Sequence, residues 1–124
     1  MHSMIRQLIE KGTLQGVRKH LKAGTCLCEA GAPANTLFYL LQGSAHIVSA
    51  QNTRVGELKA NTLLGLADYN KERYSQTITV SEDSEVMVLA REELEKALLL
   101  SAPLRLYMIQ QLSRQGILHA SAYE

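Results

Sequence analysis

Five glycines, Gly24, Gly31, Gly43, Gly56 and Gly65, punctuate the middle of the chain at intervals of 7, 12, 13 and 9 residues. That spacing suits short antiparallel strands joined by tight turns and leaves no room for long helices between them. The intervening residues agree. Val17, Lys19 and Leu21 alternate with Arg18 and His20, and Thr25–Cys28, Thr36–Leu41, Ser44–Ala50, Arg54–Leu58, Thr62–Leu64, Gln76–Val80 and Glu85–Ala90 extend the series to roughly eight strand candidates. In Thr36–Leu41, Leu37, Tyr39 and Leu41 face one way and Phe38 and Leu40 the other, so this strand is apolar on both sides and central. Gln42-Gly43-Ser44 reads as a hairpin turn leading out of it.

The period changes at both ends. Met4, Ile5, Leu8 and Ile9 fall at helical spacing within Met1–Lys11, and Gly12 is a natural stop. Arg91–Leu98 reads as a helix with Glu92 and Glu93 in its first turns, and Ser101-Ala102-Pro103 opens another with serine at the cap. Leu104, Leu106, Tyr107, Ile109, Leu112 and Ile117 carry that last helix to about Leu118. Three segments follow: 1–16 helical, 17–90 a β-roll, and 91–124 the C-terminal helices. Doubling the sheet hides its edges, so the expected class is mainly β: a double-stranded β-helix or jelly roll with a short N-terminal helix and two C-terminal helices.

A chain of 124 residues suits one domain with a continuous core. Its formal net charge of +1 provides no whole-chain field for nucleic acid or membrane. No apolar run approaches the length of a spanning helix, and the expected setting is cytoplasmic. Cys26 and Cys28, the two cysteines, would share one face of a strand as small buried residues of a reducing compartment, since a disulfide between them is sterically poor. His20 and His46 are isolated, no H-x-H appears, and no metal site or enzyme of metal-binding roll type is expected. His46 reads as a satisfied or half-exposed strand histidine.

Chemistry concentrates between Asn61 and Val80. An apolar strand reaches Gly65, a turn or half-helix follows at Leu66–Tyr69, then a polar tip at Asn70–Arg73, then a strand. Glycine lets the backbone approach a ligand closely, and helix N-terminal N–H groups favour an anion, so the stretch is suited to cradle a phosphate. The plainer alternative is a surface excursion between two strands.

Leu21-Lys22-Ala23-Gly24-Thr25, the run GAPANTLFYLLQGS from Gly31 to Ser44, and VGELKANTLLG from Val55 to Gly65 together resemble the cyclic-nucleotide-binding domains of catabolite-activator-type regulators, cyclic-nucleotide-dependent kinases and gated channels. The resemblance runs from about Val17 to about Gln115. It implies a non-catalytic regulatory or sensory domain whose phosphate-binding cassette starts at Gly65. In the family a glutamate after that glycine holds the ribose, and an arginine followed by small residues pairs with the cyclic phosphate. Here Leu66 takes the glutamate's place and has no acceptor to offer. Arg73 keeps the phosphate partner if it is aligned with the family arginine; aligning Ser75 and Thr77 with the small residue and threonine keeps the strand register and puts Tyr74 there instead. The implied ligand residues are Gly65, Leu66, Ala67, Arg73, Tyr74 and Ser75, with a cyclic nucleotide or another small anion as ligand and no metal.

Two functions remain open on this basis. One is a sensory domain with altered or weak nucleotide binding. The other is a degenerate roll without a small-molecule ligand, acting in dimerisation or protein interaction through the C-terminal helix, where Leu104, Tyr107, Leu112 and Ile117 could form a seam. No helix-turn-helix fits after the roll, so direct nucleic-acid binding is not expected and any effector domain lies outside these residues.

Overall fold

The computed structural model describes residues 4–49, 51, 53–65, 68–69 and 71–114, the last by its backbone only. The elements are α1 (Met4–Glu10), β1 (Val17–Leu21), β2 (Cys26–Cys28), β3 (Thr36–Gln42), β4 (Ser44–Val48), β5 (Arg54–Lys59), β6 (Thr62–Leu64), β7 (Thr77–Val80), β8 (Ser84–Ala90), α2 (Arg91–Leu100) and α3 (Ala102–Arg114). Two four-stranded sheets result, in the orders β1-β8-β3-β6 and β2-β7-β4-β5, with every paired strand antiparallel. This is the mainly β, jelly-roll-like architecture with one short helix before it and two helices after it. The expected continuations at Met1–Ser3, Ala50 and beyond Arg114, Ile117 included, lie outside the described residues.

β3 is the central strand, paired with β8 on one side and β6 on the other. Its alternation divides the interior. Leu37, Tyr39 and Leu41 join a core with Ile5, Leu94 and Leu104 beneath the helices. Phe38 and Leu40 join a second core with Ala45, Ile78 and Val80 from the opposing sheet. The phenol of buried Tyr39 donates to Asn61 Oδ1 at 3.1 Å, and Arg6 Nε donates to the same oxygen at 3.2 Å, which pins α1 to the β5–β6 turn. Asn61 holds that turn with a φ of 69°, a left-handed value that asparagine tolerates better than most residues.

Gln42-Gly43-Ser44 is not a hairpin. β3 and β4 belong to different sheets, and Gly43 is the corner where the chain crosses between them. Gly43 has a φ of 102°, and a Cβ there would lie 2.1 Å from Ser84 Oγ, so only hydrogen fits. The need to bury both faces of β3 explains the crossing: β6 and β8 already occupy its edges, so β4 must pair elsewhere.

The cysteines also depart from expectation. The register shifts between Cys26 and Cys28, and this irregularity leaves Cys26 exposed while Cys28 is buried. At the C-terminal side, Ser101 Oγ accepts the Leu104 N–H at 3.2 Å and caps α3 as expected. Leu104, Met108 and Leu112, one turn apart, bury against the chain's own core, so two of the residues expected at a dimer seam are already occupied.

Replacing Gly43 with alanine combines backbone strain with a clash. Urea denaturation of Gly43→Ala is expected to show a loss of about 1–3 kcal/mol, with an unchanged m-value.

Candidate functional site

β6 delivers the chain to Gly65, whose φ of 89° turns it away from the sheet. The Asp68 N–H returns to Gly65 O at 3.2 Å and the Lys71 N–H to Asp68 O at 3.0 Å. Residues 72–74 then pair with 31–34: Ala34 N–H to Glu72 O, Tyr74 N–H to Ala32 O, and Gly31 N–H to Tyr74 O, at 2.8–2.9 Å. That ladder imposes a period of two before β7 begins. Tyr74, Ile78 and Val80 are therefore buried between the sheets, and Gln76 reaches the cavity described below.

The structure thus separates the two residues that compete for the arginine position. Tyr74 points inward, its hydroxyl donating to Thr36 O, and burial raises its pKa above the usual tyrosine range. Arg73 points outward, donating from Nη1 to Gly31 O at 2.7 Å. It borders an open hollow of about 570 Å³ shared with Lys71, Glu72 and Arg91. Arg91 in turn donates to Ala34 O at 2.9 Å and lies 5.0 Å from the centre of the Tyr69 ring.

Gly65 borders a different cavity, of about 390 Å³, between the sheets and α3. Apolar side chains of β4 to β7 form its walls, and Tyr107 and Gln111 of α3 close one side. Leu66 and Ala67 lie outside the described residues. Ser75 does not point its donors into open space: its N–H donates to Asp68 Oδ2 at 2.9 Å and its hydroxyl to Asp68 Oδ1 at 2.7 Å. The ammonium of exposed Lys71 stands 3.7 Å from Oδ1. Asp68 is only 4% exposed and borders the cavity beside Gly65.

Asp68 is the residue that the sequence analysis missed. A backbone N–H and a hydroxyl side by side are the donors an anion needs, and here a carboxylate from the same loop has taken them. The available signal was the acid itself, three residues after Gly65.

Elsewhere, His46 on β4 is half-buried, with Nδ1 at 2.9 Å from Ser81 Oγ and 3.0 Å from Arg54 Nη2. Among the described residues no group of three His, Cys, Asp or Glu side chains could hold a metal ion, and no helix is long and apolar enough to cross a membrane.

With the roll, its glycine-led loop and the α3-closed cavity in place, the comparisons with known proteins fall on the same ground. The cyclic nucleotide-binding domain family model matches residues 18–100, and the chain belongs to that family. A transcriptional regulator from Thermotoga maritima superposes with a TM-score of 0.79 at 15% identity, over 96% of this chain and 94% of that one. The sensor domain of the transcriptional regulator DNR from Pseudomonas aeruginosa gives 0.73 at 19% identity, over 86% and 80%. The regulatory domain of Toxoplasma gondii PKA, crystallised with cAMP, gives 0.70 at 16% identity, over 85% of this chain and 42% of that one. A search of curated protein sequences finds no significant match.

The two thiols should differ in reactivity. Burial pushes Cys28 up to about 11, whereas Cys26 is raised less and is exposed. Because the thiolate is the nucleophile, iodoacetamide near neutral pH is expected to modify Cys26 well before Cys28, as read by peptide mass spectrometry. Equal labelling would show that the strand irregularity opens in solution.

Proposed function

We propose that this chain is a non-catalytic regulatory domain whose phosphate-binding cassette is closed by its own carboxylate, so that it binds cyclic nucleotides weakly. The observation that carries this reading is the pair of hydrogen bonds from Ser75 to Asp68. A cyclic phosphate seated on the same donors must displace Asp68 or approach it. Two like unit charges 4 Å apart repel by about 4 kcal/mol at an effective dielectric of about 20, which corresponds to nearly a thousandfold in affinity. Leu66 adds nothing toward the ribose. The outward turn of Arg73 and its bond to a backbone carbonyl support the same conclusion.

In this reading the ligand side of the cassette comprises Gly65, Leu66, Ala67, Tyr74 and Ser75, and Arg73 serves at the outer rim. Output passes through α3 to an effector domain or protein, because Tyr107 and Gln111 border the cavity. Such a switch requires a ligand that favours one arrangement of α3 over another.

Calorimetric titration with cAMP and cGMP tests the reading. A Kd above about 1 mM is expected for both, and Arg73→Ala should leave it unchanged. Micromolar binding, or its loss in Arg73→Ala, would overturn the closed cassette.

A second reading, self-association, has an observation of its own. Leu99, Leu100, Leu106 and Ile109 on α2 and α3 are exposed by 83%, 75%, 57% and 53%. Sedimentation at about tens of micromolar should then show a dimer that Ile109→Glu converts to monomer; a wild-type monomer removes this reading.

A further inference from the structure

The cavity behind Gly65 has a chemistry that does not suit a nucleotide. Its wall side chains are largely aliphatic, from Ile47, Leu58, Leu63, Leu64 and Ile78, and the polar ones, Thr62, Gln76, Tyr107 and Gln111, are neutral. Asp68 is the single charged side chain among the described lining residues. At about 390 Å³ the cavity is large enough for a small organic molecule.

The geometry points to a site for a compact apolar molecule carrying a protonated amine, its body among the aliphatic walls and its N–H directed at Asp68. This inference rests on the closed-cassette reading. An ionised carboxylate offers about four lone-pair positions, and Ser75 takes one on each oxygen. The exposed Lys71 ammonium, at 3.7 Å, forms an ion pair with Oδ1 but lies beyond hydrogen-bond distance, so it takes no lone pair. Acceptor capacity therefore remains on a carboxylate that is almost wholly withdrawn from water. Its ion pair among the described residues, with Lys71, is made by an ammonium whose side chain is 60% exposed, so a second cation entering along the apolar walls still gains where an anion loses. An ammonium donating to Asp68 leaves both Ser75 bonds in place and keeps the cassette closed.

Three probes with one indole body and different heads separate these effects: tryptamine, tryptophol and indole-3-propionate. The chain has no tryptophan, so fluorescence anisotropy of the indole reads binding with little protein background. Tryptamine is expected to bind at least about tenfold more tightly than tryptophol, with indole-3-propionate weakest. Asp68→Asn should reduce the difference to about twofold or less, and Leu58→Phe, which fills the cavity, should weaken tryptamine and tryptophol alike.

The inference is overturned if tryptamine does not bind, if indole-3-propionate binds as tightly, or if the amine's advantage survives in Asp68→Asn. Should Asp68→Asn fail to fold, the order of the three heads on the wild-type chain and the Leu58→Phe comparison still decide. The two readings fail separately: silence from all three indoles with weak cAMP binding removes the amine site alone, whereas micromolar cAMP binding removes the closed cassette beneath it.

Discussion

β3 is buried on both faces and paired on both edges, and the rest of the molecule is arranged to satisfy it. One face needs a partner sheet, which obliges the chain to leave its own sheet at Gly43. The other needs a cover, which α1, α2 and α3 supply around Leu37, Tyr39 and Leu41. Because β6 pairs with β3, Gly65 emerges at the junction of the two cores, with α3 close by. The site stands where it does because a strand with two apolar faces leaves few other places for a loop to open.

Within that junction a single backbone ladder decides the chemistry. Pairing of residues 31–34 with 72–74 sets which side chains enter the roll, and a shift of one residue would exchange Arg73 for Tyr74. An inward arginine would offer a cation for an anion. The inward tyrosine instead fills space and spends its hydroxyl on Thr36 O, leaving Ser75 to find its acceptor in Asp68. Under the closed-cassette proposal the outward arginine and the internal carboxylate act in the same direction, since each would leave the loop more negative than a phosphate site requires.

Much of the fold could be read from residue pattern. Alternation in Thr36–Leu41 identified a strand with two buried faces, and the switch of period at Arg91 marked the start of α2 almost to the residue. The errors arose where spacing says nothing about three-dimensional partners. A glycine between two strands is compatible with a hairpin or a corner, and only the pairing of β3 with β6 and β8 and of β4 with β5 and β7 distinguishes them. The cysteines obey the period of two only if no residue slips, and a slip occurs between them. For the site, the family pattern drew attention to residues that would contact a ligand. Asp68 contacts Ser75, seven positions along the chain, and that closure depends on turns no periodicity encodes.

α3 has two allegiances. Leu104, Met108 and Leu112 anchor it in the main core, while Tyr107 and Gln111, on an adjoining strip of the same helix, wall the cavity. A protein that shifted α3 from outside would also reshape the chamber behind Gly65, since Tyr107 and Gln111 move with the helix. By the reciprocity of linked equilibria, a molecule that filled the chamber would then change the grip of that protein by the same factor. Filling the one and gripping the other would be a single free energy viewed from opposite sides of one helix.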